Sequence, residues 1–317
     1  MRLAVLNCPA IWNIGNSFIV EGARIIIDKF KKNYEEVIEL ESLESGNLNL
    51  KYRTDFISMY GDAILSSLTE EDTLVVVGGS CLSRYMIGMF DQIISRYSCK
   101  KILIGAGFYE NLPMEGYMYQ DLPNSFDAIF TRDHKTWEIL SQKGKFKNVH
   151  EGIDLAFWLG ENKKFLLPEV TDFSRKYSAI NIDSPEVFDL QKKLYYETSN
   201  AILSWNNPSK IGVFNAEPYK AFRKFVGESY YGYIRFYGKA DFVHTNRIHT
   251  FLICILFSVP CKLFISKHKE YHRYYLFHGL GLDIEYGKTY TQSDYDKVLT
   301  KLKPKKAKFI QDLKLYL

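Results

Sequence analysis

The sequence has no CxxC pair, no HExxH, no GxSxG elbow, no Walker A or kinase signature and no complete GxGxxG. These gaps argue against a structural zinc site, zincin chemistry, a hydrolase elbow, a P-loop and a dinucleotide fingerprint. An excess of one charge is missing as well: 41 Lys and Arg face 37 Asp and Glu, a net of +4. A dedicated nucleic-acid binder concentrates basic charge on one face, so no nucleic-acid partner is expected. Long apolar runs are absent. The longest, residues 250–259, is about half of what a bilayer span requires. The start MRLAVLNCPAIWN is broken by Asn7 and Pro9, unlike a secretory signal. The five cysteines, Cys8, Cys81, Cys99, Cys254 and Cys261, are odd in number and widely spaced, which speaks against disulfide scaffolding. Three of them, Cys8, Cys254 and Cys261, fall in apolar context and read as core residues. A reducing cytoplasm fits. No metal is expected either, because His268 and His272 lack a supporting carboxylate pattern.

What is present is a long alternation of short apolar runs and amphipathic segments. With 317 residues the chain exceeds what one hydrophobic core usually holds, so two domains are expected, 1–165 and 166–317. In the first half, runs at 3–6, 37–40, 74–77, 101–104, 126–130 and 148–151 read as strands, and segments 18–30, 56–68, 87–96 and 134–143 as helices. Residues 161–171 read as the linker. In the second half, strands are expected at 177–182, 211–214, 242–244 and 261–265. Helices are expected at 186–205, from Tyr219, and at 230–237, 247–257, 271–278 and 293–303; Pro304 ends the last, and a terminal helix covers 305–317. The pattern implies two Rossmann-like domains facing a cleft lined by the carboxyl ends of both sheets. The basic run 301–308 has two readings, a solvated helix face or weak attraction to an anionic membrane surface.

The most informative stretch is ADFVHTNRIHTFLICILFSVPCKLFIS, residues 240–266. It reads as strand, helix, strand, with Asn246, Arg247, Ile248 and His249 at the switch from strand to helix. A helix N-terminus there favours an anion, and the His249 imidazole could donate or accept a proton. The alternative is a capped core helix with an exposed Arg247 and a buried His249. Other strand ends carry further candidates. Trp12-Asn13-Ile14-Gly15-Asn16-Ser17 follows the first strand, and Asn16 or Ser17 can cap the helix there. Gly78-Gly79-Ser80 and Gly105-Ala106-Gly107 end two later strands, where amides can form an anion nest. Arg132, after the fifth strand, can hold a carboxylate or phosphate bidentately, or pair with Asp133 or another surface acid. Trp12 and Tyr109 could stack on a sugar.

These segments, in this order, resemble the polysaccharide pyruvyl transferase family. WNIGNSF, VVVGGS, ILIGAGF, AIFTRDHKTWEIL, GIDLAF and ADFVHTNRIHTFLICILFSVP carry the resemblance, from about Leu3 to Ile265. Asn16 replaces an acid common in the family, Ile248 replaces a Leu, Ser80 stands where a third glycine is common, and the chain is short. The resemblance implies a GT-B-like glycosyltransferase architecture and the transfer of pyruvate from phosphoenolpyruvate to a sugar as a ketal, with release of phosphate. It implies that Arg247 and His249, with Arg132, bind phosphoenolpyruvate or act in catalysis. The sugar, nucleotide- or lipid-linked, would lie against the loops carrying Asn13, Gly15 and Asn16 and Gly78, Gly79 and Ser80, with Gly105 and Gly107 as further substrate-binding candidates. Phosphoenolpyruvate is then a substrate, and no cofactor is implied. The expected place is the cytoplasm, or the inner face of the membrane. Two other readings fit the same residues: a glycosyltransferase using a nucleotide sugar, and a non-catalytic sugar- or anion-binding homologue.

Overall fold

Runs of β-branched and aliphatic residues form the centre of each sheet, and helices cover their faces. The computed structural model describes residues 1–8, 13–41, 59–82, 84–108, 125–143, 146, 148–162, 176–182, 188–205, 221–227, 229–265 and 271–317. The first sheet takes β1 (Arg2–Asn7), β2 (Glu36–Glu41), β3 (Thr73–Val77), β4 (Lys100–Ala106), β5 (Ala128–Thr131) and β6 (Val149–His150). Its order is β2-β1-β3-β4-β5-β6 and every pair is parallel. All five residues of β3 are buried, as a strand covered on both faces requires. Helices α1 (Ile14–Ile27), α2 (Met59–Ser66), α3 (Arg84–Ile93) and α4 (His134–Lys143) alternate with these strands. Leu74, Val76, Phe90, Leu103, Ile129 and Leu140 belong to the core beneath them.

The second sheet takes β7 (Ser178–Asn181), β8 (Ala201–Ser204), β9 (Lys224–Phe225), β10 (Phe242–Thr245), β11 (Cys261–Leu263) and β12 (Lys288–Tyr290). Its order is β12-β11-β10-β7-β8-β9, parallel except for β12, which runs antiparallel to β11. The helices are α5 (Phe188–Glu197), α6 (Tyr230–Gly238), α7 (Ile248–Phe257), α8 (Tyr271–His278) and α9 (Gln292–Leu313). Helix α7 is apolar all round and buried from Ile248 to Ile255 except at His249, as befits a helix enclosed by its neighbours.

The chain divides into two compact units. One holds Met1–Ala10, Ile19–Leu155 and Lys303–Leu317; the other holds Ile11–Phe18 and Ala156–Leu302. Beside the consecutive halves 1–165 and 166–317, residues 11–18 and 156–165 fall in the second unit and residues 303–317 in the first.

Local departures from the sequence reading have local causes. The helix expected over 186–205 stops at Glu197, because Asn200 takes a left-handed conformation (φ 53°) and the chain turns into β8. Residues expected to continue a helix from Tyr219 instead include the short strand β9; residues 219–220 lie outside the described set, as do the expected strand 211–214, Trp12, Tyr109 and His268. Pro304 does not end the last helix, which runs on to Leu313. A proline removes one ladder bond, but each half of α9 is anchored separately. Tyr295 Oη donates to the Val259 carbonyl (2.9 Å), and the Phe309 ring packs on Phe130 (5.1 Å). Of the basic run, Lys305 pairs with Glu151 and Lys308 with Asp312. No described helix is long and apolar enough to cross a membrane.

His244 on β10 is buried, with its ring between Phe242 and Phe264 (4.8 and 6.3 Å) and Nε2 3.4 Å from Thr198 Oγ1. Burial, followed by the Lys262 charge, pushes its pKa down to about 4. The unfolded chain binds this proton near pH 6.5, the folded chain only near 4. Between those values the unfolded state holds more protons, so stability falls as pH drops through the window, by about 3 kcal/mol at its foot. His244→Phe is expected to flatten that part of the pH–stability curve in urea titrations. An unchanged slope would contradict the assignment.

Candidate functional site

In the second sheet the strand order reverses between β7 and β10, and open α/β sheets bind ligands outside the carboxyl ends at such a point. Asn181 ends β7 there and Thr245 ends β10. The chain then bends through Asn246, extends at Arg247 (φ −104°, ψ 124°) and enters α7 at Ile248. Arg247 occupies the N-cap position but makes no side-chain capping bond. Its own N–H is held by Thr245 Oγ1 (2.9 Å), and the Asn246 N–H by the Asn181 carbonyl (3.2 Å). Asn246, Arg247 and His249 are half-buried, whereas Ile248 is a core residue at the head of the helix.

Residues 13–18 belong to this same unit. Asn13 caps α1: its Oδ1 accepts from the Gly15 N–H (3.1 Å), and its carbonyl from the N–H groups of Asn16 (2.8 Å) and Ser17 (3.1 Å). The cap expected of Asn16 or Ser17 is thus supplied by Asn13, and both of those residues lie inside the helix. Gly15 packs directly on His249. A Cβ on Gly15 would stand 2.6 Å from His249 Nδ1 and 3.3 Å from Cγ, so only glycine lets the imidazole rest against the first turn of α1. His249, Asn13 and Gly15 therefore meet at the start of α1, while Arg247 stands two residues before His249 at the start of α7, where the helix dipole favours an anion.

The other candidates gather in the first unit, at the carboxyl ends of β3, β4 and β5. Arg132 is buried, and its Nη1 donates to Ser80 Oγ (2.7 Å). Its Nε lies 3.9 Å from Asp154 Oδ2, itself buried. Gly107 gives the guanidinium room, since a Cβ there would meet Nε at 2.8 Å. Asp133 does not pair with Arg132 by hydrogen bond. It caps α4 through the Thr136 N–H (2.8 Å) and Oγ1 (2.9 Å), and burial pushes its carboxyl pKa up against the pull of Arg132 and Thr136. The glycine amides have backbone partners: Gly78 N–H bonds the Ile104 carbonyl (2.7 Å) and Gly107 N–H the Gly79 carbonyl (2.8 Å). Gly105 (φ 69°) makes the close approach to Leu155. These glycines bring strand ends together around Arg132. Among the described residues, no three His, Cys, Asp or Glu side chains gather as a metal site.

Sequence reasoning missed two residues here, Asp154 beside Arg132 and Asn181 beneath Arg247. Each carried a weak signal: a lone polar residue within an apolar run, Gly152-Ile153-Asp154-Leu155 and Ile180-Asn181-Ile182.

The two reversing sheets define the class of fold. Solved structures matching most of the chain include S. aureus MnaA in a co-structure with UDP (13% identity, TM-score 0.55, 99% of this chain and 89% of that one). Methanocaldococcus jannaschii UDP-GlcNAc 2-epimerase in complex with UDP-GlcNAc and UDP matches at 11% identity (TM-score 0.52, 96% and 99%). An uncharacterized protein from Klebsiella pneumoniae matches at 13% (TM-score 0.52, 87% and 87%). At these identities the likeness shows the fold, two Rossmann-like units of the GT-B-like kind. No curated protein matches. The family profile "Polysaccharide pyruvyl transferase" matches residues 13–266, a segment that takes in Asn13, Gly15, Arg132, Arg247 and His249. The chain belongs to the polysaccharide pyruvyl transferase family, and so to the transferases of polysaccharide pyruvylation.

Proposed function

We propose that the protein transfers pyruvate from phosphoenolpyruvate to two hydroxyls of one sugar, forming a ketal and releasing phosphate. One observation carries the reading: within the segment that matches the family, Arg247 and His249 share the turn at the switch point of the second sheet. Phosphoenolpyruvate is compact and carries a carboxylate and a phosphate, a shape that an arginine fork and two helix N-termini suit. The enol carbon takes a proton and becomes a methyl group. One sugar hydroxyl adds to the neighbouring carbon, the C–O bond to phosphate breaks, and a second hydroxyl closes the ketal. Of the two protons the hydroxyls give up, one balances the proton taken by the enol carbon and the other leaves with the phosphate.

In this reading Arg247 holds the anion and stabilises the departing phosphate, and His249 moves a proton, a contribution of ~10²–10⁴-fold. Arg132 belongs to the first unit, where its Nη1 donates to Ser80 and its Nε lies beside Asp154. Acceptors of the nucleotide- or lipid-linked class fit the family's polysaccharide products. Phosphoenolpyruvate is expected to raise the melting temperature, and phosphate to appear when such a sugar is added. Stabilisation by a nucleoside diphosphate, with none by phosphoenolpyruvate, would contradict the reading and favour glycosyl transfer.

A further inference from the structure

Beneath Arg247 and His249 runs a buried polar relay that the chemistry above does not use. Asn181 is fully buried at the end of β7. Its side-chain amide donates to the Ser204 carbonyl at the end of β8 (3.1 Å), and its Oδ1 accepts from Thr250 Oγ1 in the first turn of α7 (2.8 Å). Its backbone carbonyl accepts from Thr245 Oγ1 (2.9 Å) and from the Asn246 N–H (3.2 Å). Thr245 Oγ1 in turn accepts the Arg247 N–H (2.9 Å). Thr245, Thr250 and Ser204 are buried too.

A buried amide is costly unless its hydrogen bonds are made, and here both ends of Asn181 are satisfied. Its partners bracket the candidate pair on both sides: Thr245 and Asn246 before Arg247, Thr250 directly after His249. The usual device for setting a helix start, a capping side chain at the N-cap, is absent because Arg247 makes no such bond. The Thr245 hydroxyl takes over one amide, and Asn181 fixes the hydroxyl. Arg247 thereby occupies the N-cap position without committing its side chain to capping.

We infer that Asn181 is a positioning residue: through Thr245 and Thr250 it sets the Arg247–His249 turn, tying it to β7 and β8. The inference rests on the pyruvyl-transfer reading for what the turn does, but not for how the turn is held. A purely structural asparagine would affect stability alone. A positioning one affects the reacting groups, where a displacement of 1 Å costs on the order of 10²-fold.

Thr250 is the cleaner handle, since Asn181→Ala removes every side-chain bond of a fully buried amide, to Ser204, Thr250 and Thr245, and can fail to fold. Thr250→Val keeps shape and burial but leaves Asn181 Oδ1 without this donor; Thr250→Ser keeps the hydroxyl and loses a methyl group. The experiment compares kcat and KM for phosphoenolpyruvate with amide hydrogen exchange at residues 246–250. Thr250→Val is expected to lower kcat by about 10- to 100-fold with KM little changed, and to speed exchange at 246–250. Thr250→Ser is expected to restore both. Wild-type kcat and exchange in Thr250→Val, or equal impairment in Thr250→Ser, would overturn the inference. If the wild type itself releases no phosphate, the transfer reading falls separately, and exchange, which needs no turnover, still decides whether the relay holds the turn.

Discussion

Arg247→Ala is expected to weaken phosphoenolpyruvate binding by about 2–5 kcal/mol, roughly 30-fold to several thousand-fold. The reason lies in the turn before α7. The N–H of Arg247 is already satisfied by Thr245, and its side chain makes no capping bond, so truncation leaves these backbone bonds of the helix start in place. Arg247→Lys retains the charge and loses the bidentate fork, so its loss is expected to be intermediate. Calorimetric titration of phosphoenolpyruvate into the three proteins measures this, with unchanged melting temperatures as the control. Normal binding by Arg247→Ala would remove Arg247 from the site. Arg132 is a poorer probe. It is buried beside Asp154, and its removal takes a positive charge from beside a buried carboxylate, so lost activity would be confounded with lost stability.

Gly15→Ala is expected to leave donor binding nearly intact and to lower kcat by about 10²-fold. The added Cβ would stand 2.6 Å from His249 Nδ1, closer than any tolerated contact, so the imidazole must move. Nothing in the backbone opposes the change, because Gly15 is in the first turn of a helix, where alanine is favoured over glycine by about 1 kcal/mol. The signature is therefore a catalytic defect in a protein at least as stable as the wild type. It separates His249 as a reacting group from Arg247 as a binding group. Steady-state kinetics with a sugar acceptor, together with thermal unfolding, reads both halves. A wild-type kcat would mean that the position of His249 does not matter to the reaction.

The parts of this architecture legible in the sequence are those encoded locally. The run at Leu74–Val77 specifies a strand buried on both faces, and residues 240–266 specify β10, α7 and β11 in order, with Arg247 and His249 at the switch. Contacts between residues distant along the chain were not legible. No periodicity shows that Gly15 packs on His249, since it depends on residues 13–18 joining the second unit. Glycine permits exposed amides and so suggests nests at these turns; the parallel packing of β3 on β4 gives the amides of Gly78 and Gly107 carbonyl partners instead. Asn181 and Asp154 look like ordinary strand-end polars until the sheet brings Thr250 and Arg132 to them. Asn200 ends a helix by a backbone conformation that its neighbours only weakly signal.

The central claim, pyruvyl transfer at the Arg247–His249 turn, is tested most directly by following phosphoenolpyruvate labelled with ¹³C at its second carbon. The protein is incubated with a panel of nucleotide- and lipid-linked sugars while free phosphate is assayed. The expected result is acceptor-dependent phosphate release, one phosphate for each labelled carbon that appears in the sugar as a ketal, with both signals lost in Arg247→Ala. Absence of release across the panel, or release in which the label emerges only as free pyruvate, would contradict it.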